Sequence, residues 1–328
     1  MRQSRRSGEF DTGRSSWRWI LQEGKYIMTK RAFGFATLYL AFAFAPQTAS
    51  AQSLSPTLQK IKEAGTITIG HRDSSVPFSY LDDSQKPIGF SLDLCGLVVA
   101  KIKARLGQSD LKVAYQAVNS SNRIPLVKNG TVDIECGSTA NTIARQQEVA
   151  YSVIFYAPQF KWISLKSSGL KTTEDLKGKA VVVTQGTNTA QFVAKLNADK
   201  GLGMKILQGK DHAESFLLVE TGRAAAFMED DILLAGLKAN AGSPDNFVFL
   251  TDAFPSDPYG IMMSKGDGEF KRLVDEALTD AMKSGLYDKL YTKWFGNPIP
   301  PKNINLNFPQ SDKLKELVKS PSDKANGQ

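Results

Sequence analysis

From Gln52 onward the chain alternates short β-branched runs with amphipathic stretches, and this rhythm constrains its fold more than any other feature. Strand, helix and strand in succession build parallel sheets covered by helices, so the pattern predicts an α/β protein. Thr66–Gly70 (TITIG) reads as a strand, Leu92–Leu106 as a helix weakened by Gly96, and Leu111–Val118 as a strand. A short helix over Ile124–Lys128 and a strand over Val132–Cys136 complete a first set. A second set begins near Phe160. Its expected strands are Lys161–Leu165, Ala180–Thr184, Lys205–Leu207, Ala224–Met228 and Phe247–Thr251. Between them, helices are expected from Gly186 to about Asp199, over Glu214–Thr221 and over Asp231–Lys238. Tyr259–Ser264 then reads as a strand, followed by helices over Glu269–Lys283 and Leu286–Trp294. Pro298, Pro300 and Pro301 mark the tail from Asn297 as a surface wrap rather than packed core.

A chain of 328 residues has room for two domains. Its first 51 residues hold eight Lys/Arg against three acidic residues, a net +5 of the formal +8. The remainder shows no basic run of the kind that binds nucleic acid. Lys30 and Arg31 precede a largely apolar stretch from Ala32 to Ala45, then the small-residue pattern Ala49-Ser50-Ala51. That order matches a secretory signal peptide and its cleavage site. The apolar stretch is shorter than the ~20 residues a membrane span needs. Residues 28–51 are therefore read as a signal peptide cleaved near Ala51, and residues 1–27 as an over-extended start. Export permits disulfides. Cys95 and Cys136 lie in apolar contexts, LDLCGLVVA and VDIECGS, which suit a disulfide and buried free thiols equally.

The sequence contains no G-x-S-x-G elbow, H-E-x-x-H, Walker loop or dinucleotide fingerprint. With only His71 and His212 it has no His-rich metal site. No catalytic residue, metal ligand or cofactor is assigned. The Glu229-Asp230-Asp231 run is read as one functional carboxylate and two solvated ones. What the sequence does hold is a set of anion-binding elements. Thr184-Gln185-Gly186-Thr187 follows a strand and opens a helix, where free N–H groups and the helix dipole favour a carboxylate. Arg72 follows the first strand, Arg123 opens a helix after Asn119-Ser120-Ser121-Asn122, and Arg145 lies beyond Gly137-Ser138-Thr139. Planar guanidinium forks match carboxylates.

Five blocks in one order resemble the polar-amino-acid solute-binding proteins of ABC transporters, and among them the glutamate/aspartate-binding branch. They are GTITIGHRDSSVPFSYLDDSQKPIGFSLDL, NRIPLVKNGTVDIECGST, the Arg145-to-Ser152 segment, DLKGKAVVVTQGT and YTKWFGNPIPPKN. The resemblance runs from about Leu54 to the C-terminus. It implies a two-lobed α/β fold of the periplasmic-binding-protein type II kind, each lobe a mostly parallel sheet flanked by helices, joined by two hinge strands. Lobe 1 would take residues 52–157 and 254–328, and lobe 2 residues 158–253. The implied function is a monomeric periplasmic receptor that closes on L-glutamate or L-aspartate and delivers it to an ABC permease in the inner membrane.

The family pattern carries residue roles with it. It assigns the ligand's α-carboxylate to Arg145, Ser138 and nearby N–H groups, and the α-ammonium to Asp230 and Ser138. A side-chain carboxylate falls to Arg72, Arg123, Ser120, His212 and the Thr187 loop. Two positions depart from the pattern. Ala140 replaces a hydroxyl residue but keeps its N–H, and Asn188 is an unusual loop residue. Three arginines against Asp230 give a surplus of +2, suited to two carboxylates. A neutral side chain would strand buried guanidinium charge at about 3–5 kcal/mol. His212 has a second reading as the cap of the helix that follows, with Asp211 as the alternative cap. Phe78 and Tyr80 suit either the ligand's methylenes or the core. The rival function is an enzyme on the same scaffold, of the cyclohexadienyl-dehydratase kind, although Asp230 fits an ammonium clamp better.

Overall fold

The computed structural model describes residues 53–327. The expected signal peptide and over-extended start lie outside these residues. Strand β1 (Thr66–His71) leads through a small antiparallel sheet, β2 (Ser74–Ser75), β3 (Ser79–Leu81) and β4 (Pro87–Ile88). The long helix Phe90–Leu106 follows, then β5 (Lys112–Ala117), β6 (Ile134–Glu135) and β7 (Val149–Tyr151). After a first crossing come β8 (Gln159–Leu165), β9 (Ala180–Thr184), β10 (Lys205–Gly209), β11 (Ala226–Asp230) and β12 (Phe247–Pro255). A second crossing returns the chain to β13 (Met262–Ser264).

Two five-stranded sheets result, in the orders β5-β1-β6-β13-β7 and β10-β9-β11-β8-β12. In the first, β1 pairs in parallel with β5 and β6, while β13 runs antiparallel to β6 and β7. In the second, β9 is parallel to β10 and β11, while β8 runs antiparallel to β11 and β12. Four of five strands in each sheet thus point one way. The reversed strand is in each case the one that has just arrived from the other lobe. The two lobes therefore share one topology and are joined twice.

The Val-rich β9 shows why a buried parallel strand reads as a continuous apolar run. Val181 and Val183 pack with Val193 and Met204 on one face, and Val182 packs with Phe216 and Phe227 on the other. The first lobe is centred on an aromatic cluster of Phe78, Phe90, Phe155, Tyr156, Tyr259 and Phe295. Phe78 and Tyr80 belong to this core. Cys95, on the long helix, is disulfide-bonded to Cys136, which follows β6 directly.

The tail from Asn297 departs from expectation. It forms a two-stranded hairpin (Pro298–Ile299 with Ile304–Asn305) and a helix over Asp312–Lys319, capped by Ser311. Ile299 and Leu314 enter the first-lobe core. The prolines set the turns, but the apolar residues between them find cover. Beyond that helix, the Ser322 carbonyl accepts from the Ile154 N–H at 2.8 Å, and Asn326 Nδ2 donates to the Ser256 carbonyl at 2.8 Å.

Candidate functional site

The chain folds the site from strand ends that face one another across the lobes. Arg72 leaves the end of β1 with its N–H donating to Ser79 Oγ, and it is 1% exposed. Both of its terminal nitrogens are buried without a partner. Burial and the neighbouring Arg123 pull its guanidinium down to about 10. Ser120 sits in a turn built by Asn119, whose side-chain oxygen accepts from the N–H groups of Ser121 and Asn122. Arg123 opens the short helix Arg123–Lys128. Its Nη1 donates to Thr139 Oγ1 at 2.6 Å, and Thr139 donates on to Glu135 Oε2 at 2.5 Å. Arg123 Nε and the Ser120 and Ser138 hydroxyls are buried and unpartnered.

Arg145, on the helix Ile143–Gln146, is half-buried. Its Nη1 donates to the Ala140 carbonyl at 3.0 Å and its Nη2 to the Gly186 carbonyl, in the second lobe, at 3.1 Å. The lobes are therefore in contact at the cleft mouth. Gly186 has a φ of +78°, and an added Cβ would lie 2.8 Å from the Ser120 backbone. Only a glycine combines that backbone angle with so close an approach.

From the second lobe, Thr187 caps the helix Asn188–Asp199, accepting from the Ala190 N–H and donating to the Thr184 carbonyl. Its hydroxyl is thereby engaged locally. Asn188 turns to the second crossing, where Nδ2 donates to Asp257 Oδ2 at 3.1 Å. His212 begins the helix His212–Glu220, but Asp211 is the cap, accepting from the Glu214 N–H at 2.8 Å. The capping role considered for His212 is thus filled by its neighbour. His212 is 2% exposed, and burial with repulsion from Arg72 and Arg123 holds it well below the usual imidazole range. Asp230 accepts from Ser256 Oγ at 2.6 Å and from the Tyr259 hydroxyl. Burial, reinforced by Glu229, holds its carboxyl well above the usual range.

Two carboxyls not foreseen from sequence join the cluster. Glu135 is fully buried and bound through Thr139 to Arg123, with its Oε1 unpartnered. Glu229 is 2% exposed and accepts from Thr189 Oγ1 at 2.9 Å. Neither Glu229 nor Asp231 is freely solvated, contrary to expectation, because β11 runs into the lobe interface rather than out to water. Three guanidiniums thus meet three carboxyls rather than one, so the formal surplus of +2 counted against Asp230 alone does not stand, although burial favours the neutral form of Asp230 and Glu229. What distinguishes the site is instead its unpartnered donors on Arg72, Arg123, Ser120 and Ser138. The sequence signal for Glu135 existed in the VDIECGST block, where the second of two acids, after Asp133, sits between the apolar Ile134 and Cys136. Ser256 and Tyr259, which hold Asp230, lie in the second crossing and were marked by no motif. Among the described residues no cluster of His, Cys, Asp and Glu is arranged to hold a metal ion.

Two lobes joined twice, closing on a buried set of unpartnered donors, define a hinged receptor for a small polar molecule. The family is then unambiguous. The chain belongs to the bacterial extracellular solute-binding proteins, family 3, whose profile matches residues 67–297. It is 52% identical over 276 residues to the L-glutamate/L-aspartate-binding protein of Pseudomonas aeruginosa, covering 84% of this chain and 91% of that one. It is 44% identical over 294 residues to the glutamate/aspartate import solute-binding protein of Escherichia coli K12, covering 88% and 97%. Among solved structures, an ancestral arginine-binding protein bound to glutamine superposes with a TM-score of 0.62 at 30% identity, covering 71% of this chain and 98% of that one. No helix among the described residues is long and apolar enough to cross a membrane.

Proposed function

We propose that this chain is a periplasmic receptor that captures L-glutamate or L-aspartate between its lobes and presents it to an ABC permease. The observation that carries this reading is the pair of unpartnered Arg72 nitrogens, buried beside Arg123. A ligand side-chain carboxylate supplies acceptors for a planar fork, whereas an amide offers one acceptor and sets its NH2 donors against donors. The names of the two close relatives support the same ligand class.

In this reading Arg145, Ser138 and the Ala140 N–H hold the α-carboxylate. Asp230 and Ser138 hold the ammonium, and Arg72, Arg123, Ser120, His212 and the Thr187 loop hold the side-chain carboxylate. Residues 52–157 with 254–328 form one lobe and 158–253 the other, moving about the two crossings. The protein acts as a monomer after signal-peptide removal near Ala51, and it turns nothing over. A thermal-shift screen of the twenty amino acids tests this. Glutamate and aspartate at a thousandfold over Kd stabilise by about 4 kcal/mol through mass action. Stabilisation by neutral amino acids alone, or turnover of a prephenate-type acid, overturns it.

A further inference from the structure

Glu229 has no place in the ligand set above, yet it is buried against His212. Its Oε1 accepts from Thr189 Oγ1 and from the Asp230 N–H, at 2.9 and 3.2 Å. Its Oε2 has no hydrogen-bond partner and lies 3.4 Å from His212 Nδ1. The same Nδ1 lies 2.9 Å from Thr184 Oγ1, which in turn is 2.9 Å from Ser215 Oγ. Counting protons along this chain fixes its direction. Ser215 donates its single proton to the Asp211 carbonyl at 2.9 Å, so it accepts from Thr184. Thr184 has then used its only proton and accepts from Nδ1. Burial raises the Glu229 carboxyl above its usual range, and in its ionised form Oε2 is likewise an acceptor. Neutral His212 therefore carries its proton on Nδ1, pointing into the second lobe, and its Nε2 bears a lone pair.

We infer that Thr184 and Glu229 are positioning residues that fix this tautomer of His212, so that an acidic ligand side chain is accepted together with one proton taken up at Nε2. The inference rests on the ligand reading above and adds a proton to it. A carboxylate facing a lone pair is repelled, whereas the imidazolium is attracted to it and to Glu229 on the opposite side. The ligand's negative charge also offsets the repulsion that Arg72 and Arg123 exert on a protonated ring. The proton comes from solvent, and the only bond formed is N–H.

The surrounding charges are accounted for. Arg72 and Arg123 face the ring from the first lobe, and Asp211, at the start of its own helix, acts on Arg72. Asp73 is turned to His71 at 3.5 Å, and Glu214 to the Lys210 N–H. Lys161, opposite Glu229 in register, has its ammonium over the Phe249 ring at 6.0 Å. Asp230 is held by Ser256 and Tyr259, and Asp231 accepts from the Ile232 N–H. Glu135 is bound through Thr139 to Arg123 and acts on Arg72, so Glu229 is the carboxylate left to balance the imidazolium.

Calorimetry with L-glutamate, in two buffers of equal pH and different ionisation enthalpy, reads the proton directly. Near pH 8 the protein takes up about one proton per ligand, and affinity falls about tenfold per pH unit above that. His212→Gln binds more weakly with no uptake, and Glu229→Gln shifts the pH profile to lower pH. Because the chain has two histidines, nitrogen-15 NMR resolves His212 without any substitution. The free protein shows the Nδ1–H tautomer and the complex shows imidazolium. An Nε2–H tautomer in the free protein, equal heats in both buffers, or full uptake by His212→Gln each overturns the inference. Failure of both glutamate and aspartate to bind removes the ligand reading instead, while the free-protein spectrum still tests the tautomer.

Discussion

Arg145 reaches from the first lobe to the Gly186 carbonyl of the second, at 3.1 Å, where the Gly186 backbone also abuts Ser120. A side chain at 186 meets both a left-handed backbone angle and the Ser120 carbonyl. Gly186→Ala is expected to leave each lobe folded while preventing full closure. Ligand affinity drops at least about tenfold, with about 1–2 kcal/mol from backbone strain alone. Calorimetry with small-angle scattering checks it: a variant that binds normally and compacts on ligand addition refutes the contact's role.

Arg72 in the closed, ligand-free arrangement is a buried charge with two unsatisfied nitrogens. Closure without ligand is therefore costly, and the free protein should favour an open form in solution. Arg72→Met removes the charge while keeping the stem that packs in the wall. The free variant is expected to be at least as stable as the parent, and its glutamate affinity to fall by about 2–5 kcal/mol. Chemical denaturation and calorimetry on one sample set separate the two effects.

The Cys95–Cys136 disulfide closes a loop of 41 residues in sequence separation and anchors the start of the Gly137-Ser138-Thr139 loop to the long helix. Replacing both cysteines by serine is expected to cost about 4 kcal/mol by loop entropy. The same double variant should bind ligand more weakly, since Ser138 and Thr139 hang from the freed strand end. Denaturant unfolding with and without reductant measures the first effect. Equal midpoints would show that the bridge is structurally idle.

Asp230 and His212 pull the pH dependence in opposite senses. The Asp230 carboxyl is raised by burial and by Glu229, so its contribution to stability is present below the unfolded value of 3.8 and is lost as pH rises through the folded value. His212 is depressed below 6.5 by burial and the arginines, so its contribution is present above 6.5 and is lost as pH falls through the folded value. Asp230→Asn is expected to raise the melting temperature of the free protein at pH 8 and to change it little at pH 4. It also removes the shift produced by glutamate. Differential scanning fluorimetry at both pH values, with and without ligand, decides this.

The α/β character and most strands were legible because β-branched runs and amphipathic stretches alternate locally, whereas the two-lobed arrangement was implied by the family resemblance. The strand Ala180–Thr184 matches its sequence span residue for residue. The burial of Arg72, Arg123 and His212 was not legible from their spacing, since a lone arginine at a strand end reads first as a solvated charge; only the family resemblance pointed to it. The cysteine pairing was not legible, since apolar surroundings suit either state and only the tertiary fold brings the two together. The tail was misjudged because its prolines outweighed the scattered Ile299 and Leu314. The charge surplus failed for a different reason: Glu135 and Glu229 each end an apolar run. Whether such an acid faces water or an interface depends on the other lobe, which lies far away in sequence.

Asn326 holds the Ser256 carbonyl, and Ser256 Oγ is itself bonded to Asp230, so this last stretch of described residues is linked through one side chain to a buried carboxyl of the cleft. A dye or affinity handle fused at this end would not hang in solvent as an inert appendage. It would pull on the second crossing between the lobes, making this segment a poor place to immobilise the protein and a good place to attach a reporter of relative lobe motion.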